Sequence, residues 1–199
     1  PIMIDDSPSA SLAHIQRFAR AMKRRFERAG RPMRALVVDY LGLIKREGDR
    51  FDSQAQIHAL TLGLASLARE LDCPVLCGCQ LNREVERRDD RRPVLSDLRE
   101  SGNIEQDAFA VLMLYREAVY LSRAEPRHGQ YSDHGAFEAA HEAWEMEMRR
   151  VNAEKPLELI VAKHRRGPTG TVRLWCEIET AAIREAGFNP LGGPKTEVV

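Results

Sequence analysis

Four polar residues stand where chemistry on a phosphate would need them. Asp39 follows the apolar run Ala35-Leu36-Val37-Val38, and Gln80 follows Pro74-Val75-Leu76-Cys77-Gly78-Cys79. Lys163 and Arg165 flank His164 at the start of a Gly/Pro turn, Gly167-Pro168-Thr169-Gly170, between two apolar stretches. A carboxylate at the end of an apolar strand can hold a magnesium-bound water beside a phosphate, because magnesium prefers oxygen ligands. A neutral amide at a strand end can donate and accept hydrogen bonds around a terminal phosphate or its attacking water. Two cations aimed at one point suit the charge that develops in phosphoryl transfer. Each feature also has a plainer structural reading: an aspartate that opens a turn, a glutamine that caps a loop, a basic turn facing water.

The elements that must carry these residues alternate. Ile2-Met3-Ile4 reads as a strand ending in Asp6, and Ser9 or Ser11 as the cap of a helix carrying Leu12, Ile15, Ala19, Met22 and Phe26 at helical spacing. Gly30 and Pro32 end that helix. The run at 35–41 has a continuous apolar start, as in a strand covered on both faces. Ser53 and Gln56 form a capping box, and Ile57, Leu60, Leu64, Leu67 and Leu71 follow at spacings of three and four. The stretch 74–79 reads as a second buried strand, 83–106 as a charged loop with short helices, 111–115 as a strand and 122–135 as polar linker. Phe137, Ala140, Trp144, Met148 and Val151 mark a further helix; 157–162 and 171–176 are strands. This order predicts an α/β domain with a mostly parallel sheet flanked by helices, in which ligands sit beyond the carboxyl ends of the strands.

Composition bounds the function. The 199 residues fit one domain, and 30 basic and 30 acidic side chains leave a formal net charge of zero. That argues against binding nucleic acid by overall charge but leaves room for a local strip. Arg83 to Arg92, with five arginines and four acids, reads as a solvated face. No apolar run is long enough to cross a bilayer and no signal peptide is visible, so a cytoplasmic protein with no membrane partner is expected. Cys73, Cys77, Cys79 and Cys176 read as buried reduced thiols, since the zinc spacing lacks a second pair.

The order of these features resembles one family closely. The runs Gln80-Leu81-Asn82-Arg83, Arg92-Pro93-Val94-Leu95-Ser96-Asp97-Leu98-Arg99-Glu100-Ser101-Gly102-Asn103-Ile104-Glu105-Gln106-Asp107 and Lys163-x-Arg165-x-Gly167-Pro168-Thr169-Gly170-Thr171-Val172 resemble DnaB-type replicative DNA helicases, as does the opening Ile4-Asp5-Asp6-x-Pro8. The resemblance covers residues 1 to about 185, with a looser and longer stretch at roughly 118–155. It implies a RecA-like P-loop NTPase core, assembled as a homo-hexamer around single-stranded DNA, that uses ATP and Mg2+ to unwind duplex DNA. It assigns Asp39 to the magnesium, Gln80 to sensing the terminal phosphate, and Lys163 and Arg165 to a finger reaching the neighbouring subunit's ATP. Arg99, Glu100 and Gly102 match the loop that holds the DNA backbone. Primase and a helicase loader are the partners it implies.

The sequence departs from the family at several points. Cys79 stands where serine is usual, and His164 and Arg166 where glutamine and asparagine are common. No Gly-x-x-x-x-Gly-Lys-Ser/Thr run occurs. By the resemblance that loop, its strand and the catalytic glutamate would precede residue 1. The expectation is therefore a partial RecA-like ATPase domain over 1–185 with a flexible tail over 186–199. Such a chain would be inactive alone and prone to associate through exposed strand edges. The alternative is a non-catalytic truncated subunit that binds single-stranded DNA or helicase partners. A recombinase reading fits less well, because the surroundings of the 96–102 run match the helicases.

Overall fold

The computed structural model of the protein describes residues 2–45, 53–98 and 101–186, which divide into two compact units, Pro1–Val111 and Leu112–Val199.

In the first unit, helix α1 (Leu12–Arg28) starts at Ser11, whose hydroxyl accepts a hydrogen bond from the His14 amide at 3.3 Å. This satisfies one of the amides that a helix start leaves without an intrahelical partner. The helix stops at Ala29 and Gly30, the latter in the left-handed region at φ 67°. Strand β1 (Leu36–Val38) follows, then helix α2 (Ser53–Leu71) and strand β2 (Val75–Cys77). The apolar stripe of α2 is buried as its spacing predicts: Ile57, Leu60, Leu64, Leu67 and Leu71 all lie inside. Ala19, Leu67, Leu71 and Cys73 form a core, with Ile15, Met33 and Leu36 packed against it. Polar contacts fix the two helices side by side. The Arg20 guanidinium makes a two-pronged bond to Glu70 at 2.6 and 2.8 Å, and Lys23 Nζ donates to the Leu71 carbonyl at 2.7 Å. Gly63 leaves room for Leu12 against α2, since a Cβ there would lie 2.3 Å from a methyl of Leu12. The expected capping box at the start of α2 includes the Ser53 side chain, which lies outside the described residues. Helix α3 (Ser101–Asp107) ends the unit's helices. Its last residue, Asp107, accepts hydrogen bonds from His58 at 3.0 Å and from the Thr61 hydroxyl, which ties it to α2.

In the second unit, strand β3 (Ala110–Tyr115), which begins at the division, leads to helix α4 (Glu117–Arg123), helix α5 (His134–Glu154) and the strands β4 (Pro156–His164), β5 (Gly170–Glu177) and β6 (Ala182–Glu185). The sheet runs in the order β3-β4-β5-β6. Arg150 on α5 gathers Glu147, Glu117 and Glu154, and these carboxylates hold its guanidinium above its ordinary range. Trp144 donates its indole N–H to the Leu121 carbonyl at 2.9 Å, pinning α5 to α4.

Several expectations are corrected. The sheet is not mostly parallel: β1 and β2 pair in parallel, but β4–β5 and β5–β6 are antiparallel. The short connection between β4 and β5 can join only antiparallel neighbours, because parallel strands need a long crossover. Residues 2–4 form no strand and are exposed, for a strand needs a neighbour to receive its backbone hydrogen bonds, and among the described residues no strand is paired with them. The β1–β2 pair is covered on one face only: Val38 is buried while Val37 is 69% and Leu76 49% exposed. Cys73 and Cys176 are buried, whereas Cys77 is exposed and Cys79 half-buried. The polar stretch 122–135 carries the end of α4, a 3-10 turn at His128–Gln130 and the start of α5.

Two outcomes follow. Leu67, 1% exposed, sits at the centre of the α1–α2 contact. Its replacement by alanine lowers unfolding free energy by about 2–5 kcal/mol in urea titration. Asp5 accepts hydrogen bonds from Ser7 and from His14 Nε2 at 2.7 Å, and these partners, Ser7 first, lower its pKa from 3.8 to about 2. Its contribution to stability is therefore fully present above about 3.8 and lost as pH falls through about 2. Carboxyl NMR of His14→Ala shows the Asp5 midpoint moving up towards 3.8.

Candidate nucleotide-binding site

The geometry begins with the parallel pairing of β1 and β2. Leu36, Val37 and Val38 stand opposite Val75, Leu76 and Cys77, so the residues that follow each strand emerge at the same end. The Gly78 amide donates to the Val38 carbonyl at 2.9 Å and the Leu41 amide to the Gly78 carbonyl at 2.9 Å. These two bonds carry the pairing past the strands and hold the Asp39 and Gln80 segments together. Gly78 leaves the crossing close-packed. A Cβ there would lie 3.2 Å from Cβ of Tyr40 and 3.7 Å from Oδ1 of Asp39. The Asp39–Tyr40 peptide is cis. Both Asp39 and Gln80 are exposed, so the carboxylate and the amide face solvent at the open end of the pair.

One carboxylate in open space suits magnesium held with a nucleotide, since that ion keeps several waters and takes one or two protein carboxylates plus phosphate oxygens. Among the described residues no cluster of three or more His, Cys, Asp or Glu side chains could hold a metal unaided. The donor set at Asp39 thus fits a shared ion and does not form an all-protein cage.

The chain beyond Gln80 is closed into a loop by one buried acid. Leu81 bridges Leu98 in antiparallel fashion, and the Asn82 amide donates to the Asp97 carbonyl at 2.7 Å. Asp97 is 5% exposed; its Oδ2 accepts from Arg88 Nη2 at 2.6 Å and from the Val94 amide at 2.8 Å. Arg88 also donates to the Arg92 carbonyl at 2.9 Å. The arginine-rich stretch therefore contains a structural clasp as well as a solvated face, and sequence reading missed it. The available signal was an aspartate inside a family-specific run, nine residues from an arginine. The Ser-Asp-Leu-Arg-Glu-Ser-Gly run continues from this clasp. Arg99 and Glu100 lie outside the described residues; Gly102 is exposed in the first turn of α3, with open space where a side chain would stand.

Lys163 and Arg165 belong to the second unit, at the β4–β5 turn. Their strand ends at His164, so alternation along the strand orients Lys163 but does not reach Arg165, which sits in the turn itself. Lys163 is half-buried and Arg165 exposed. The His164 ring folds over Gly167, where a Cβ would fall 2.2 Å from Nδ1. The glycine thus lets the turn close against the imidazole and shapes the base from which the cations project.

The clasp is directly testable. Replacing Asp97 with alanine leaves Arg88 and the Val94 amide without their acceptor and costs about 1–3 kcal/mol. Trypsin then cleaves within Arg83–Arg92 faster than in the parent chain. Unchanged cleavage would show that Asp97 does not close the loop.

Known proteins resemble this chain over most of its length. Replicative DNA helicase DnaB of Rickettsia conorii is 42% identical over 172 residues, covering 86% of this chain and 32% of that protein. The corresponding helicase of Geobacillus stearothermophilus is 37% identical over 174 residues, covering 87% and 31%. The chain thus spans about a third of the length of the relatives it matches. Among solved structures, a DnaB-like replicative helicase described with its primase interactions superposes with a TM-score of 0.69 at 33% identity, over 92% of this chain and 36% of that one. A second solved structure, an ATPase domain, superposes with a TM-score of 0.66 at 33% identity, over 88% and 51%. The family description "DnaB-like helicase C terminal domain" matches residues 1–185, and the chain belongs to that family of replicative helicases.

Proposed function

We propose that residues 1–185 supply part of a RecA-like ATPase domain of a hexameric replicative helicase, which uses ATP and Mg2+ to unwind duplex DNA; of the tail expected at 186–199, residues 187–199 lie outside the described residues. The observation that carries this reading is the shared edge of β1 and β2, where Asp39 and Gln80 leave the same end of two paired strands. Asp39 would hold Mg2+, which when bound neutralises charge on the phosphate oxygens. Gln80, free of formal charge, is suited to hydrogen-bonding the terminal phosphate or orienting the attacking water. Lys163, near the end of β4, and Arg165, in the turn that Gly167 closes, are assigned to the ATP of a neighbouring copy of the chain, in the manner of an arginine finger. Arg99, Glu100 and Gly102 are assigned to the backbone of single-stranded DNA. Six copies of one loop would supply those contacts without a basic overall composition. Primase and a helicase loader are the partners proposed for the assembled protein.

The 199 residues contain no phosphate-cradling Gly-x-x-x-x-Gly-Lys-Ser/Thr run, so the chain by itself is expected not to hydrolyse ATP. The test is a chimera in which residues 1–185 replace the matching segment of a relative. Arg165→Ala lowers its DNA-stimulated ATPase by about a thousandfold or more while hexamers still form by sedimentation. Mixing Arg165→Ala subunits with subunits mutated in the phosphate-binding loop restores part of the rate if the finger acts between chains. A chimera carrying Arg165→Ala that turns over at the parent rate would remove the finger assignment.

A further inference from the structure

Helix α3 depends on its neighbours to hold its place. Its seven residues make about two turns, and isolated helices below about 12 residues are marginal in water. Ile104 is buried, but the helix ends on Asp107, a carboxylate at the negative pole of the helix dipole, which local electrostatics opposes. The answer comes from α2. Oδ2 of Asp107 lies 3.0 Å from Nδ1 of His58 and also accepts from the Thr61 hydroxyl. His58 and Thr61 are three residues apart, neighbours on one face of α2. The Thr61 hydroxyl lies 3.0 Å from the His58 carbonyl as well, and its one proton is drawn to the charged acceptor. The Asp107 side chain is 10% exposed and that of His58 43%, so the acid lies largely inside with the imidazole at the rim. Burying a carboxylate costs stability unless donors meet it, and α2 supplies them.

Asp107 also ends the run assigned to DNA. Asp97, bound by Arg88 and the Val94 amide, fixes the near end of that run, and Asp107 fixes its far end to α2. Between them in sequence stand Arg99, Glu100 and Gly102. We infer that His58 and Thr61 are positioning residues for single-stranded DNA: by holding Asp107 they set the direction of α3, and with it the aim of Arg99, Glu100 and Gly102 at the strand's backbone. The inference rests on the DNA assignment proposed above. Neither residue touches DNA; each acts through Asp107. A hydroxyl and an imidazole serve the same oxygen, so the requirement at both positions is a hydrogen-bond donor at the right reach.

The test uses the hexameric chimera described above, with oligothymidylate as the DNA. Thr61→Val, which keeps the shape of the side chain and removes the donor, raises the oligothymidylate concentration for half-maximal ATPase about tenfold, the size of a lost hydrogen bond to a charged group. His58→Ala does the same. The KM for ATP and the kcat at saturating oligothymidylate stay at the parent values, and hexamers still form by sedimentation. Thr61→Ser and His58→Asn, whose amide nitrogen stands near the place of Nδ1, keep a donor and return the half-saturation to that of the parent. Should the Thr61→Val chimera not assemble, His58→Ala, at a more exposed position, carries the comparison. Unshifted half-saturation in Thr61→Val and His58→Ala would overturn the inference while leaving the DNA assignment standing. So would a joint loss of kcat, ATP affinity and assembly that Thr61→Ser and His58→Asn share, since that marks a general structural role. A parent chimera whose ATPase does not respond to oligothymidylate would overturn the DNA assignment and this inference with it.

Discussion

Everything proposed for the nucleotide end of this chain depends on two backbone hydrogen bonds at Gly78. They extend the β1–β2 pairing beyond its three registered pairs, so that two segments distant in sequence leave the sheet together. A parallel pair presents both carboxyl ends on one side, and in open α/β sheets that side is where ligands bind. The lack of a side chain at Gly78 leaves room for Tyr40 and Asp39 beside it. A Cβ at this position would press on Tyr40 at 3.2 Å, so the segment that follows Asp39 would have to give by a few tenths of an ångström.

The second constraint is the buried carboxylate of Asp97. Burial of a charge is tolerated where it is paired and hydrogen-bonded, and Asp97 has both a guanidinium and a backbone amide. Through the Leu81–Leu98 bridge the same residue joins the end of Gln80's segment to the start of the run assigned to DNA. Nucleotide sensing and strand holding are thus proposed on either side of one short closed loop.

Much of this was legible in the residues, and the failures have physical causes. The leucines of α2 and the cap at Ser11 follow from helical period and local hydrogen bonding, which need no knowledge of neighbours. The strand expected at 2–4 fails because apolar residues specify a strand only where a partner receives their hydrogen bonds. The direction of β4 and β5 was available in the length of the turn between Lys163 and Gly170, yet strand-and-helix alternation outweighed it. The Arg88–Asp97 clasp was hidden because a mixed-charge stretch reads as solvated until one acid is known to be inside. The motif-bearing strand ends Asp39 and Gln80 were legible as positions. Their common edge became visible only with the register.

The segment between β3 and β4 is stitched to itself. Arg150 draws Glu117 from the start of α4 together with Glu147 and Glu154 on α5, and Trp144 holds Leu121. Lys155 then turns the chain back in a left-handed conformation at φ 47°, with its amide bonded to the Val151 carbonyl at 2.8 Å. A hairpin tied at its root in this way asks little of the sheet from which it grows. The contacts that hold it lie within the hairpin itself, so the pairing of β4 with β5 does not draw on them.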